Sequence, residues 1–231
     1  MKKKAFYQTF LDTLPVLTGY VFLGIGFGLL MFRAGYNAWW SVAMGVFVYA
    51  GSAQYMAVDL LSGGVSAVSM GISIFLVNAR HIFYGLSMIG AYKGTGKKKP
   101  YLIFSLTDET YSLVTQNEPP EGMKKSTYCL AVSALDHLYW VIGCALGGLA
   151  GAVLPVDLKG VEFVLTALFV TIFVEQWLSQ KNHGPALIGV GVTLVSLLCV
   201  GSRYFLIPAL VIITLTLALW EKTGRRDRHE A

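Results

Sequence analysis

Charged residues are scarce in this sequence. They make up 13% of the 231 residues, whereas 55% are hydrophobic, and soluble domains usually carry about 25% charge. The mean hydropathy is +0.60. So few charges cannot cover a water-exposed surface, and most of them are concentrated at the two termini and near residues 93–99 and 124–125. The composition therefore predicts an all-α, polytopic helical membrane protein.

Cysteine is scarce too, and the motifs of several enzyme classes are missing. The three cysteines lie singly, without a CxxC pair, which argues against a disulfide framework or a metal site. There is no HExxH, GxSxG or Walker phosphate loop, so we expect no enzyme activity, no cofactor and no ATP-driven transport by this chain alone. Basic residues collect at the cytoplasmic ends of membrane helices, so the net charge of +5 does not indicate nucleic-acid binding.

Most of the sequence consists of long apolar runs. A membrane-spanning helix needs about 20 residues. The runs cover residues 16–32, 38–61, 64–92, 101–116, 127–154, 161–178, 184–200 and 204–220. They predict about seven full or partial spans in a single transmembrane domain covering the whole chain. Lysines 2–4 favour a cytoplasmic N-terminus and an uncleaved first span.

The topology between residues 64 and 116 has two interpretations. In one, the run 64–92 is split around Asn78–His81 and the run 101–116 enters and leaves on one side as a half-span. In the other, 64–92 is one long tilted helix and some lysines lie outside. The sequence leaves both open.

Three short segments recur in order at nearly one offset. Residues 11–14 resemble 135–138, Phe47 with Gln54-Tyr55 resembles Phe169 with Gln176-Trp177, and 77–80 resemble 200–203. This pattern indicates an internal repeat with halves 1–116 and 124–231. Secondary transporters are often built from such repeats, with the substrate site between them on broken helices. Small and polar residues predict breaks at 50–54 and 78–81.

Polar side chains inside the apolar runs need partners or a wet cavity, because an ionised group at the bilayer centre costs about 2.5–3.5 kcal/mol or more. Arg80 could bind a carboxylate through its planar fork, and His81 could relay protons. Asp108 and Glu109 suit a cation, an amine or a proton. The alternatives are structural: ion pairs, helix caps, interhelical hydrogen bonds, or carboxylates solvated at the membrane surface. Asp136, which repeats Asp12, fits either role.

Three segments together resemble a known family. Gly51-Ser52-Ala53-Gln54-Tyr55, Asn78-Ala79-Arg80-His81 with Tyr84, and Thr107-Asp108-Glu109-Thr110-Tyr111 are similar to the signature segments of the AzlC-type branched-chain amino acid permeases. The resemblance covers nearly the whole chain. It implies the large subunit of a two-component exporter of valine, leucine, isoleucine and sometimes methionine in the bacterial inner membrane. It also implies coupling to protons and a small AzlD-type membrane partner.

The residues and the resemblance together predict a site. Substrate-binding candidates are Gly51, Ser52, Gln54, Asn78, Arg80, Asp108, Glu109 and Gln176, and proton-coupling candidates are His81, Asp108, Glu109 and Asp136. Arg80 or the start of a half-helix at 51–54 would take the substrate carboxylate, and Asp108 or Glu109 its ammonium. The competing functions are a non-transporting membrane scaffold subunit, and a transporter or channel for another small solute.

Overall fold

All regular elements that the structure describes are helices. A computed structural model describes residues 2–62, 66–153, 163–180, 182–201 and 205–227. The helices are α1 (Lys2–Arg33), α2 (Ala38–Phe47), α3 (Gly51–Ser62), α4 (Ala67–Asn78), α5 (Arg80–Met88), α6 (Lys99–Phe104), α7 (Asp108–Gln116), α8 (Lys125–Val153), α9 (Phe163–Ser179), α10 (Gly184–Val200) and α11 (Leu206–Asp227), with a 3₁₀ turn at Gly96–Lys98. The prediction of an all-α membrane protein is confirmed.

Two of the described helices are long and apolar enough to cross a membrane alone. They are Lys3–Arg33 in α1 and Lys125–Val153 in α8. The pair α4 and α5 would form a third span if counted as one helix bent by 47°. The predicted total of about seven full or partial spans stays a prediction, because several of the remaining described helices are shorter than a bilayer requires.

Helices α1 and α8 pack backbone against backbone. Gly24 faces Gly143, and Gly28 faces Gly147 and Gly148 so closely that a Cβ atom at either α1 position would overlap the backbone of α8. A Cβ atom at Gly147 would likewise overlap the backbone of Ile25. Membrane helices associate through small residues because these allow such close approach. The glycines therefore allow α1 and α8 to pack in close contact along their lengths.

The apolar run 38–61 is interrupted between α2 and α3. Asn37 caps the start of α2 with its side chain, and the helix ends at Phe47. Tyr49 has a φ of +44°, a left-handed conformation that costs a non-glycine residue about 1–3 kcal/mol. The helix resumes at Gly51. A break in this run is thus confirmed, but it covers residues 48–50 and meets the predicted segment 50–54 only at Ala50.

Two further interruptions occur in the next apolar runs. The run 64–92 bends at Ala79, between α4 and α5, which confirms the predicted break at 78–81. The run 101–116 consists of the short helices α6 and α7, and Thr107 caps α7 by accepting from the backbone N–H of Thr110. Neither short helix is long enough to cross a bilayer, in agreement with the half-span interpretation of this run.

The described residues divide into two compact units, 1–166 and 167–231. This boundary differs from that of the predicted repeat halves, and the repeat itself stays a prediction. Within the second unit α10 packs on α11, and the rings of Trp177 and His183 stack with centroids 4.0 Å apart.

Cys129 and Cys144 are buried in α8 and Cys199 is exposed, and all three are free thiols.

Candidate functional site

Gln54 lies in the first turn of α3, directly after the break between α2 and α3. Its side-chain Oε1 accepts from the backbone N–H of Ala50 at 3.1 Å and from the indole N–H of Trp140 at 2.9 Å. The side chain is 0% exposed, and its Nε2 has no hydrogen-bond partner. The Trp140 ring also covers the start of α3, where a Cβ atom at Gly51 would lie 3.1 Å from it. The break thus presents a buried amide donor next to the N-terminus of a helix.

Asp136 lies on α8, opposite the break between α6 and α7. The hydroxyl of Thr110 donates to its Oδ2 at 2.7 Å. The carboxyl is 0% exposed, and its Oδ1 has no hydrogen-bond partner. A buried carboxyl in a membrane protein needs partners, so the single hydrogen bond leaves capacity for a further donor.

Tyr20 of α1 connects the two breaks. Its hydroxyl lies 2.7 Å from Thr107 Oγ1 and 2.6 Å from Glu109 Oε2. Its ring makes edge-to-face contacts with Tyr49 at the first break and with Trp140, at centroid distances of 6.4 and 5.6 Å. Four elements therefore supply one buried polar cluster: α1, the α2–α3 break, the α6–α7 break and α8.

Aromatic residues form one wall of this cluster. The rings of Tyr49 and His137 lie 4.3 Å apart. His137 Nε2 lies 3.3 Å from the carbonyl of Gly45, and its Nδ1 lies 3.1 Å from the Tyr101 hydroxyl. Since a carbonyl only accepts, Nε2 carries the hydrogen, and Nδ1 of the neutral ring then accepts from Tyr101. His137 thus has a partner at each ring nitrogen, and these contacts hold α2, α6 and α8 together.

A second group of polar side chains lies at the bend between α4 and α5. His81 Nδ1 lies 3.1 Å from the carbonyl oxygen of Asn78, and Asn78 Oδ1 is buried without a hydrogen-bond partner. On α5 the ring of Tyr84 stacks on Tyr111 of α7 at 4.8 Å. This stack places the bend beside the same helix, α7, that carries Asp108 and Glu109 in its first turn.

The predicted site residues are distributed as follows. Gly51, Ser52 and Gln54 lie in the first turn of α3, and Glu109 and Asp136 join the polar cluster through Tyr20 and Thr110. Asn78 and His81 lie at the second bend, and Asp108 is half-buried at the start of α7. The side chains of Arg80 and Gln176 lie outside the described residues, although both positions are helical.

Sequence reasoning missed several members of the cluster, among them Tyr20 and Trp140. A signal exists for each. Tyr20 places a hydroxyl inside the run 16–32, and Trp140 lies in the middle of the run 127–154, whereas tryptophans near the membrane surface lie at the ends of runs. Tyr49 gives no such signal, because its importance comes from the backbone conformation at the break.

Comparisons with known proteins agree on one family. The chain matches the family described as AzlC protein over residues 15–154. It is 40% identical over 94% of its length to the Bacillus subtilis branched-chain amino acid transport protein AzlC, of which 86% is covered. It is 43% identical over 91% of its length to a Haemophilus influenzae protein named an uncharacterized membrane protein, of which 87% is covered.

A more distant relative is the Escherichia coli inner membrane protein YgaZ, which is 27% identical over 80% of this chain and 80% of its own length. No solved structure matches the chain. The region matched to the family contains all three helix breaks and all the cluster residues named above, from Tyr20 to Trp140. The chain therefore belongs to the AzlC family of membrane transport proteins.

Proposed function

We propose that this protein is the large subunit of a secondary transporter that exports valine, leucine and isoleucine, with methionine as a further candidate, in exchange for protons. Its location would be the bacterial inner membrane, with a cytoplasmic N-terminus and a small AzlD-type membrane protein as partner. The printed name of the B. subtilis relative, branched-chain amino acid transport protein, supports the substrate class. The lysines at residues 2–4 support the orientation.

The observation that carries the proposal is a pair of buried, unsatisfied polar atoms, Gln54 Nε2 and Asp136 Oδ1. Leaving such a group unpaired costs about 1–3 kcal/mol, and a bound ligand would remove that cost. An amino acid supplies both partners. Its carboxylate accepts from Gln54 and is favoured by the N-terminal end of α3, and its ammonium donates to Asp136.

The other sequence candidates keep supporting roles in the proposal. Asp108 lies beside Glu109 at the start of α7, where negative charge adds to the attraction for an ammonium group. Asn78 and His81 occupy the bend next to that helix. The roles proposed for Arg80 and Gln176, and the repeat halves 1–116 and 124–231, rest on the sequence alone.

The test of the function is an efflux measurement. Cells would be loaded with dipeptides containing valine or isoleucine, and free amino acids inside and outside would be followed. The strains would express this chain alone, this chain with the small membrane protein encoded beside it, or neither. We expect faster efflux only with the pair. Unchanged efflux, with both proteins detected in the membrane, would remove branched-chain amino acids as the substrate.

Gln54→Glu tests the proposed substrate contact. Glutamate keeps an oxygen that accepts from Trp140 and Ala50 but replaces the Nε2 donor by a second oxygen, which repels a carboxylate. Hydrogen bonds to charged groups contribute about 1.5–3 kcal/mol, so we expect the KM for export to rise about tenfold or more. The measurement is amino acid transport in vesicles at several concentrations.

Gln8→Glu is the matched control for that substitution. Gln8 is exposed near the start of α1, and its side-chain Nε2 donates an exposed hydrogen bond to Asp12 Oδ1 at 3.2 Å. We expect its KM to equal that of the wild type. An unchanged KM in Gln54→Glu would contradict a substrate contact at the α2–α3 break.

A further inference from the structure

Two carboxyl groups of the cluster are joined by an unbroken series of hydroxyl groups. The contacts run from Glu109 through Tyr20, Thr107 and Thr110 to Asp136. The four O···O distances in this order are 2.6, 2.7, 3.1 and 2.7 Å. All are hydrogen-bond distances. We call the three hydroxyl groups of Tyr20, Thr107 and Thr110 the hydroxyl relay.

The relay has too few protons of its own. Four contacts need four protons, and each of the three hydroxyls supplies one. With both carboxyls ionised, one contact would bring two oxygens together without a hydrogen between them. With both protonated, one proton would have no acceptor within the series. One carboxyl proton completes all four hydrogen bonds.

Electrostatic repulsion also favours a single proton shared by the two carboxyl groups. Two ionised carboxylates joined through buried groups repel each other, so such pairs tend to hold a single proton between them. Asp136 is 0% exposed, Thr107 and Thr110 are buried as well, and Glu109 is half-buried. A fully satisfied network in such surroundings is rigid and strong, whereas a partly satisfied one is costly.

We propose that Glu109 and Asp136 share one proton and that the hydroxyl relay carries it between them. With the proton on Glu109, that carboxyl donates to Tyr20, and each hydroxyl donates onward to ionised Asp136. Transfer moves every proton one oxygen along, so that each hydroxyl again holds one proton. The net result is one proton moved from Glu109 to Asp136, with the O–H bonds reversed.

Further titratable groups near the relay come from four elements. Tyr49 lies at the α2–α3 break, Tyr101 on α6 and His137 on α8, where the ring nitrogens of His137 contact the Tyr101 hydroxyl and the Gly45 carbonyl. Asp108 precedes Glu109 on α7. A carboxylate at Asp108 opposes a second charge on Glu109, which favours the shared proton further.

Coupling to export rests on the function proposed above. An ammonium group at Asp136 Oδ1 favours the ionised form of Asp136 and moves the shared proton to Glu109. Departure of the substrate allows the proton to return through the hydroxyl relay. Substrate binding and the position of one proton are then linked through the same carboxyl, as exchange of an amino acid for a proton requires.

The first experiment needs no transport. Infrared spectra of the purified full chain in lipid nanodiscs would be recorded at neutral pH, with deuterium exchange identifying the C=O band of protonated carboxyls. We expect intensity equal to one protonated carboxyl, and its loss in the double variant Glu109→Gln/Asp136→Asn. Absence of this band from the wild type, or an equal band in the double variant, would overturn the shared proton.

The second experiment interrupts the hydroxyl relay at Thr110, which is not a helix cap. Thr110→Val has nearly the same shape but no hydroxyl, and Thr110→Ser keeps the hydroxyl. In vesicles we expect Thr110→Val to lose proton-driven export about tenfold or more and to retain exchange of labelled for unlabelled amino acid, which moves no net proton. Thr110→Ser should retain both activities.

The outcomes separate the two proposals. Full proton-driven export by Thr110→Val would overturn the hydroxyl relay as the proton path, and so would equal loss of both activities in a folded Thr110→Val protein. Absence of amino acid transport by the wild type with its partner would refute the proposed function, while the infrared result would still decide whether the proton is shared.

Discussion

Asp136→Asn is expected to abolish transport and to leave the protein folded. Asparagine has the same shape and can still accept from Thr110, so packing around α8 is preserved. It can neither attract an ammonium group nor take up a proton, so both proton-driven export and amino acid exchange should fall to about one tenth of the wild-type rate or less, a change of at least about 1.4 kcal/mol. The measurements are the two vesicle assays.

Thermal stability distinguishes this loss from misfolding. Burying a charge costs more free energy than burying a neutral amide, so Asp136→Asn should unfold at the same temperature as the wild type or higher. Asp12→Asn is the matched control. Asp12 corresponds to Asp136 in the predicted repeat, but it is half-buried in the first half of α1, where Tyr128 donates to it at 3.2 Å. Normal export by Asp136→Asn would contradict its proposed roles.

Gly28→Ala is expected to destabilise the protein strongly. The added methyl group would meet the backbone of Gly147 and Gly148, and backbone cannot move aside as a flexible side chain can. Overpacking of this kind costs about 1–3 kcal/mol or more. We expect a lower unfolding temperature and a smaller yield of monodisperse protein, measured by size-exclusion chromatography after heating detergent-solubilised samples.

Gly19→Ala provides the control on the same helix. Nothing lies within 4 Å of a Cβ atom at Gly19, and alanine is a better helix former than glycine by about 0.8–1.0 kcal/mol. This variant should be as stable as the wild type or more stable. Equal stability of Gly28→Ala and Gly19→Ala would refute the close contact between α1 and α8.

The sequence predicts the helical membrane class and the positions of the interruptions well. Hydropathy alone gives the run 127–154, which the structure has as α8 from 125 to 153. Small and polar residues in apolar runs mark the breaks at 50–54 and 78–81, because such residues tolerate irregular backbone inside a membrane protein. The run 101–116 is short for a full crossing, which suggests a half-span, and the structure has it as the two short helices α6 and α7.

The grouping of the site could be predicted only in part. Gln54, Glu109 and Asp136 stand out as polar residues in apolar runs, but their connection through Tyr20, Thr107 and Thr110 depends on side chains from α1, α7 and α8 that lie far apart in the sequence. A tyrosine or threonine in a membrane helix more often packs or bonds to its own backbone, as Thr9 does to the carbonyl of Ala5. No local pattern distinguishes the two situations.

The contact between α1 and α8 also limits how the protein can move. A helix rises 1.5 Å per residue, so sliding α1 by one residue along α8 would bring a side chain against Gly147 or Gly148, where only a hydrogen atom fits. We therefore expect these two helices to stay fixed against each other during a transport cycle. The movement that opens the protein to one side of the membrane and then to the other would come from the short helices, whose runs are interrupted near Tyr49, Ala79 and Thr107. The rate of each transport cycle would then depend on the movement of short helices of two or three turns, while α1 and α8 keep their positions relative to each other.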